Sequence, residues 1–349
     1  MNILVTGGAG YVGYSVSRAL ARRYPQSKVI IFDNFVKGRL ENIALIRKYP
    51  NIVMVPWEKA DIRDSHHIEA VLEEYHPEII VHLAAIVDAF STNREGKDVE
   101  CNIVNNIAAV RMAELCKEHG VRTFIFQSTV SLYSRGADLA EDAPKEPLSM
   151  YGKSKLEAEN AILKLDSADF NTCALRSATM VGYNPSFRYE TIINMLCIRS
   201  VYGVKTTLFQ SALENPKSYL SLNDEAAAVL FAIDNISKMK GEAFNVSSFN
   251  ANLNEVVAAI TETGVTPLVH IATEKTINQQ VYTINADKIR RLGFTPADNL
   301  RDVVHNMIEG IRTREYSSYG IVNKLKRKIS HVFRLDTERI SEQISNQDR

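Results

Sequence analysis

Met1-Asn2-Ile3-Leu4-Val5-Thr6-Gly7-Gly8-Ala9-Gly10-Tyr11-Val12-Gly13 opens the chain. Asn2 to Val5 form a short, mostly apolar run that breaks into a glycine-rich turn, and a helical pattern begins at Tyr11. Strand, glycine turn and helix in that order present the free N–H groups and positive dipole end of a helix to a phosphate. Gly7, Gly10 and Gly13 let the backbone turn tightly, let a pyrophosphate approach and let the helix pack on the strand. A second apolar run, Val29-Ile30-Ile31-Phe32, ends at Asp33, 20 positions after Gly13. At that spacing a carboxylate accepts hydrogen bonds from the hydroxyls of an adenosine ribose. A plain structural turn has no need of that carboxylate, so dinucleotide binding is the favoured reading.

The first half repeats this rhythm. Val12, Val16 and Leu20 give Tyr11 to Arg22 a helical spacing. Ile52–Val55, Glu78–Leu83 and Thr123–Phe126 read as further strands, the last running into Gln127-Ser128-Thr129. Ser65–Glu74 reads as a helix capped by Ser65, and Asp98–Lys117 as one long helix closed by Gly120. Strand and helix alternate five times, which requires crossovers and a parallel sheet covered on both faces. The expected class is α/β, a doubly wound parallel sheet of the Rossmann type with a smaller C-terminal α/β substrate domain. After a helix at Tyr151–Lys164 and a strand near Thr172–Arg176, Gly182 to Lys217 shows no sustained alternation. Later elements are helices at Asn223–Asn235, Asp287–Leu292 (capped by Gly293) and Leu300–Ile311. The expected division is a dinucleotide-binding domain over 1–175, a substrate domain over 176–312 and a tail over 313–349. The strand Ala243–Val246 is a candidate to return to the first domain's sheet.

Composition narrows the class. The 349 residues carry 41 Lys plus Arg against 41 Asp plus Glu, a balance that speaks against a general nucleic-acid binder. Cys101, Cys116, Cys173 and Cys197 have no short paired spacing, so the expectation is buried thiols in a reducing compartment and no metal site. Met1-Asn2 leads straight into a strand, leaving no room for a secretory signal, and no apolar run reaches about 18 residues. A cytoplasmic protein is expected. In the tail, Val322, Leu325, Ile329 and Val332 fall at helical spacing among Lys324, Lys326, Arg327, Lys328 and Arg334. Docking of this basic amphipathic helix on its own or a neighbouring subunit is favoured over weak membrane-surface contact, because one short basic helix attaches weakly.

A second stretch, Ser149-Met150-Tyr151-Gly152-Lys153-Ser154-Lys155, places Tyr151 and Lys155 four apart on one helical face. A tyrosine alone is a poor base, since its ordinary pKa is about 10. A neighbouring ammonium and a positive nicotinamide ring would both favour the phenolate. The pair then makes a general base that takes a hydroxyl proton while a hydride leaves the same carbon. Taken alone, Tyr-x-x-x-Lys is also a common spacing on surface helices.

Together these motifs resemble the extended short-chain dehydrogenase/reductase family, in its sugar-nucleotide epimerase/dehydratase branch, over about residues 1–312. Thr6 to Gly13 matches T-G-x-x-G-x-x-G, Asp61-Ile62-Arg63-Asp64 matches D-[IV]-R-D, and His82-Leu83-Ala84-Ala85 matches H-L-A-A. Glu141 to Pro147, Leu175 to Gly182, Lys217 to Asp224 and Phe244-Asn245-Val246 are similar to its later signatures. The resemblance implies NAD as cofactor. It places Gly7, Gly10, Tyr11, Val12 and Gly13 at the pyrophosphate, Asp33 and Asn34 at the adenosine ribose, and Asp61 and Ile62 at the adenine. Leu83, Ala84 and Ala85 follow the dinucleotide. A carboxylate at Asp33 repels a 2′-phosphate, and Lys37 and Arg39 close behind are the cations that weigh against that choice. Tyr151 is implied as base, Lys155 as its partner and holder of the nicotinamide ribose, and Thr129 as the third catalytic hydroxyl. Ser128 and Ser131 flank Thr129 as alternatives. Asn102 is either a family asparagine near the active site or a helix-start residue.

Departures from the family narrow the reaction. Val130 and Ser131 follow Thr129 where 4,6-dehydratases carry Asp-Glu, so dehydration is not expected. Ser177-Ala178-Thr179 follows Arg176 where UDP-sugar 4-epimerases carry Tyr-Phe-Asn, and Lys217 replaces an arginine. Ser131, Thr179, Arg188 and Lys217 are the substrate candidates, the last two for phosphate. The implied activity is NAD-dependent epimerisation of a nucleotide-linked sugar, at carbon 4, through a transient keto sugar. A net NAD-dependent dehydrogenase or reductase, and a non-catalytic dinucleotide-binding regulator, are the alternatives. The family also implies a homodimer through helices 98–117 and 151–164. Ile86 to Thr92 and Gly182 to Lys217 are the stretches that would select the sugar.

Overall fold

The computed structural model describes residues 1–36, 38, 48–87, 97–133, 136–273 and 281–317, without the side chains of 211 and 314–317. Lys37, Arg39, most of Ile86 to Thr92 and nearly all of the 313–349 tail lie outside the described residues.

Seven parallel strands form the main sheet: β1 (Asn2–Thr6), β2 (Lys28–Phe32), β3 (Ile52–Met54), β4 (Ile79–His82), β5 (Thr123–Thr129), β7 (Asn171–Ser177) and β11 (Glu242–Val246). Their order is β11-β7-β5-β4-β1-β2-β3. The chain winds outward from β1 in both directions, so its sense reverses between β1 and β4. At such a reversal the loops after the two strands part and leave a crevice at their carboxyl ends. Central strands such as Ile3-Leu4-Val5 and Ile80-Val81 are wholly buried, as expected of strands covered on both faces.

Helix α1 (Tyr11–Arg23) and α8 (Leu222–Asp234) cover one face, with Val16, Leu20 and Val229 against Ile3, Val5 and Ile125. Helices α2 (Ser65–Tyr75), α4 (Ala109–Glu118) and α5 (Met150–Leu163) cover the other, with Ile68, Leu72, Met112 and Ile162 against Leu4, Ile80 and Phe124. The second half therefore returns twice to the first. Strand β11 pairs in register with β7, and α8 packs on α1.

A smaller sheet carries β10 (Lys217–Ser221) between β12 (Phe249–Ala251) and β14 (Tyr282–Ile284), with β6 (Gly136–Leu139) beyond β14 and β8 (Thr179–Val181) also on β10. Helices α6 (Ile192–Val201), α10 (Leu253–Glu262) and α12 (Leu300–Ser317) build its core from Ile193, Leu196, Val256, Ile260, Val304 and Met307.

Two local expectations are corrected. The cap of α2 is Asp64, whose side chain accepts from the His66 N–H at 2.9 Å, so Ser65 is already helical. The helix expected over 98–117 runs without a break from Lys97 to Glu118 but is not α-helical throughout. It is α3 (Lys97–Asn102), a π-helical segment (Ile103–Ala108), then α4. The wider π turn turns Asn105 inward, where it is fully buried.

Candidate active site

The glycine turn is bare backbone because nothing larger fits. A Cβ at Gly13 would lie 2.1 Å from the Gly7 carbonyl oxygen, and one at Gly7 would lie 2.9 Å from Ala84 Cα. Gly7 also has φ +67°, which a side chain rarely adopts. Helix α1 begins at Gly10 with no side-chain cap and no acidic residue in its first turn, while Arg22 and Arg23 occupy its last. Its first N–H groups, those of Tyr11, Val12 and Gly13, are thus presented to an anion.

The Asp33 carboxylate is tied to this turn. Its Oδ2 accepts from the Ala9 N–H at 2.9 Å and its Oδ1 from the Phe35 N–H at 2.8 Å. Burial nevertheless pushes its pKa up, against the pull of those two N–H groups. Asn34 Nδ2 donates to Asp61 Oδ2 at 3.3 Å, which joins the end of β2 to the loop after β3. Arg63 holds the Asp61 carboxyl down to about 2, and Ile62 is buried beside it. On the other side, Thr6 Oγ1 accepts from the Leu83 and Ala84 N–H groups, both at 3.2 Å, which fixes the Leu83-Ala84-Ala85 corner above Gly7. A bare-backbone cradle, an uncapped helix start and a carboxylate beside it fit a dinucleotide diphosphate and its ribose.

Thr129 ends β5 and caps the turn that follows, its Oγ1 accepting from the Ser131 N–H at 3.1 Å. Ser149 caps α5 through the Gly152 N–H at 3.1 Å, which sets the start of the helix that carries Tyr151. The Thr129 side chain lies close enough to Tyr151 to pull its pKa down, in the direction that favours the phenolate. Gly152 makes that meeting sterically feasible, since a Cβ there would stand 2.4 Å from the Ser131 carbonyl oxygen. Ser131 thus touches the site through its backbone. Ser128 is turned the other way and donates to Glu159 Oε2 at 2.5 Å.

Lys155 is 1% exposed, with Nζ 3.9 Å from the centroid of the Phe126 ring. Burial lowers its pKa to about 7, against the raising effect of Glu159. The expected lowering of Tyr151 by Lys155 is absent in the chain by itself. Burial raises the Tyr151 pKa, and the opposing influences are the Thr129 side chain and the charge of Arg188. Both members of the pair are thus biased toward their neutral forms.

Asn102 bonds within its own helical run. Its Oδ1 accepts from Asn106 Nδ2 at 3.2 Å. The buried asparagine is Asn105, which accepts from the Ile86 N–H at 2.7 Å and donates to the Ile86 carbonyl at 2.9 Å, clamping the loop after β4. Arg176, expected only as a signature, forms a buried ion pair with Glu159 at 2.6 Å and also donates to the Tyr133 hydroxyl. It locks α5 to β7. Asn105, Gly152, Arg176 and Glu159 went unassigned in the sequence, because their partners lie elsewhere in the chain.

The segment between β8 and α6 closes over the glycine turn. The Tyr11 hydroxyl donates to the Gly182 carbonyl, Asn194 Nδ2 donates to the Tyr11 hydroxyl at 2.9 Å, and Asn184 Nδ2 to the Tyr11 carbonyl at 2.6 Å. Arg188 in this segment donates to the Val87 carbonyl at 2.9 Å, and its charge reaches Tyr11 and Tyr151. Thr179 starts β8 opposite Tyr219, and Lys217 starts β10, partly buried, with its pKa lowered by burial.

Comparison with known proteins agrees with this geometry. The sequence model of the NAD dependent epimerase/dehydratase family matches residues 3–247. UDP-arabinose 4-epimerase 1 of Arabidopsis thaliana is 29% identical over 192 residues, which cover 54% of this chain and 45% of that protein. The chain thus spans about half the length of the plant relatives it matches. UDP-glucose 4-epimerase of Corynebacterium glutamicum is 26% identical over 325 residues, 88% of this chain and 94% of that one. Among solved structures, UDP-glucose 4-epimerase of Thermotoga maritima with UDP-glucose superposes with a TM-score of 0.78 at 24% identity, covering 90% of this chain and 99% of that one. The Stenotrophomonas maltophila UDP-glucose-4-epimerase with bound NAD gives a TM-score of 0.81 at 21% identity, covering 91% and 100%. At these identities the two structures are likenesses of fold.

Proposed function

The chain belongs to the NAD dependent epimerase/dehydratase family, and we propose that it epimerises a nucleotide-linked sugar, at carbon 4, with NAD kept in place. The observation that carries this reading is the approach of the Thr129 side chain to Tyr151 beside the enclosed glycine turn. Bound NAD supplies a nicotinamide that accepts a hydride from the sugar and returns it. Thr129 hydrogen-bonds the ring hydroxyl, and Tyr151 takes that hydroxyl's proton as the hydride leaves the same carbon. Lys155 holds the nicotinamide ribose and, when charged, favours the phenolate. The transient keto sugar turns over, and Tyr151 gives the proton back as the opposite face is reduced.

The clasp of the 182–194 segment on Tyr11 favours epimerisation over net oxidation. A cofactor covered on its diphosphate side is retained between turnovers, as a reaction with no net redox change requires. Arg188 and Lys217 are assigned to the substrate's phosphates, Ser131 and Thr179 to its sugar side. A UDP-sugar is the first substrate to test, since the relatives' names specify UDP-sugars. The homodimer implied by the family would use the stripe Val99, Ile103 and Ile107, which are 59%, 38% and 57% exposed along α3 and the π segment. Incubating NAD-loaded protein with UDP-, GDP-, CDP- and dTDP-sugars tests the reading. NMR should reveal one pair interconverting with no stoichiometric NADH. Stoichiometric NADH would replace the reading with a dehydrogenase, and no turnover of any sugar would remove it.

A further inference from the structure

We propose that Glu225 is a positioning residue of the reaction, which fixes the Thr129 end of β5 through Ser177 and Gln127. The proposal rests on the reading of Thr129 as the catalytic hydroxyl. Glu225 projects from the first turn of α8 and is wholly buried. Ser177 Oγ donates to Glu225 Oε2 at 2.8 Å and accepts from Gln127 Nε2 at 2.5 Å. Gln127 lies two residues before Thr129 and shares its face of β5, while Ser177 is the register partner of Thr129 on β7. The three side chains therefore grip both strands where the catalytic threonine leaves the sheet.

Two oxygens of this group have no partner among the described residues, Glu225 Oε1 and Gln127 Oε1, and both are buried. Two acceptors do not bond. A proton on Glu225 Oε1 turns one of them into a donor. Ionised Glu225 instead leaves a buried charge, and the pull of the Ser177 hydroxyl and the Gln127 amide only partly offsets its burial. Burial also pushes the Glu225 carboxyl up to about 7.

Among the described residues no cation offsets that burial. Glu225 faces Gln127 of β5 and Ser177 of β7, and no charged group acts on it. The other titratable groups on the packed elements are occupied or outward. On α1, Tyr11 is bonded to Gly182, Arg18 lies over Tyr14, Arg22 is exposed and Arg23 pairs with Asp234. On β7, Arg176 pairs with Glu159, and Cys173 is a buried thiol. On α8, Asp224 accepts from Ser248. On β10, Tyr219 packs on Phe249, and Lys217 stands at the far end of the strand. Lys238 on α9 (Ile236–Met239) is exposed.

The test compares wild type with Glu225→Gln, which is isosteric, always neutral and keeps a donor. In NAD-free protein with labelled threonine methyls, the Thr129 resonance should move through about pH 7 in the wild type and stay still in E225Q. This readout needs no substrate, so it stands apart from the epimerase reading. A Thr129 resonance that is static in the wild type, or titrates equally in both proteins, overturns the proposal. With a turned-over sugar, Lys155 titrates alike in both proteins, so the ratio of E225Q to wild-type kcat/KM should rise above that pH; a ratio that is flat with pH also overturns it.

Discussion

The Tyr11 hydroxyl lies 2.7 Å from the Gly182 carbonyl oxygen, a bond between residues 171 positions apart. It joins the glycine turn, proposed above as the diphosphate site, to the segment that closes over it. Tyr11→Phe removes this donor and the acceptor of Asn194 Nδ2 while leaving the ring packed. About 1–2 kcal/mol is lost from the clasp, so NAD retention on gel filtration should drop and the nucleotide-sugar KM rise roughly tenfold. Unchanged retention and KM would show that the clasp has no functional role.

Gly152→Ala tests the approach of α5 to the turn after Thr129. With a Cβ 2.4 Å from the Ser131 carbonyl, the first turn of α5 must shift outward. Overpacking of this kind costs about 1–3 kcal/mol of stability, and displacing Tyr151 from Thr129 should lower kcat by about a hundredfold. Thermal melts and steady-state kinetics read the two effects separately.

Lys155 carries a stability penalty with a definite sign. Its folded pKa of about 7 lies below the ordinary 10.5, so the folded state binds fewer protons across that window. Wild-type stability therefore rises with pH from about 7 to about 10 on this account. Lys155→Met removes the buried ammonium. The NAD-free variant should melt higher than wild type, most at pH 7 and below, with the difference shrinking as pH rises, and it should be inactive.

The exposed stripe Val99, Ile103, Ile107 is the dimer surface to test. Ile107→Glu should give a monomer by light scattering with an unchanged circular dichroism spectrum. A wild type that is already monomeric would remove the dimer from the account.

What the sequence revealed and what it hid divide along contact distance. The glycine turn, Asp33 and the Tyr151–Lys155 pair were legible because each is local, a turn, a strand end or a helical repeat. Asn105 was missed in favour of Asn102 because a uniform helical period gives no sign of a π turn, and that turn chooses which asparagine faces inward. Asp64 and Ser65 are both good caps, and the sequence alone does not rank them. Glu225, Ser177 and Gln127 come from three separate elements, so only the packed sheet and α8 bring them together. The raised pKa of Tyr151 was hidden for a related reason. Helical spacing puts Lys155 nearby, but burial acts on the tyrosine more strongly than the lysine does.

The most direct test of the central claim is the fate of deuterium placed at carbon 4 of the sugar that is turned over. Return of the hydride inside a closed site predicts that the epimerised product keeps its deuterium at carbon 4, with none lost to solvent or to added unlabelled NADH. Loss of the label, or its dilution by added NADH, would contradict epimerisation with retained NAD.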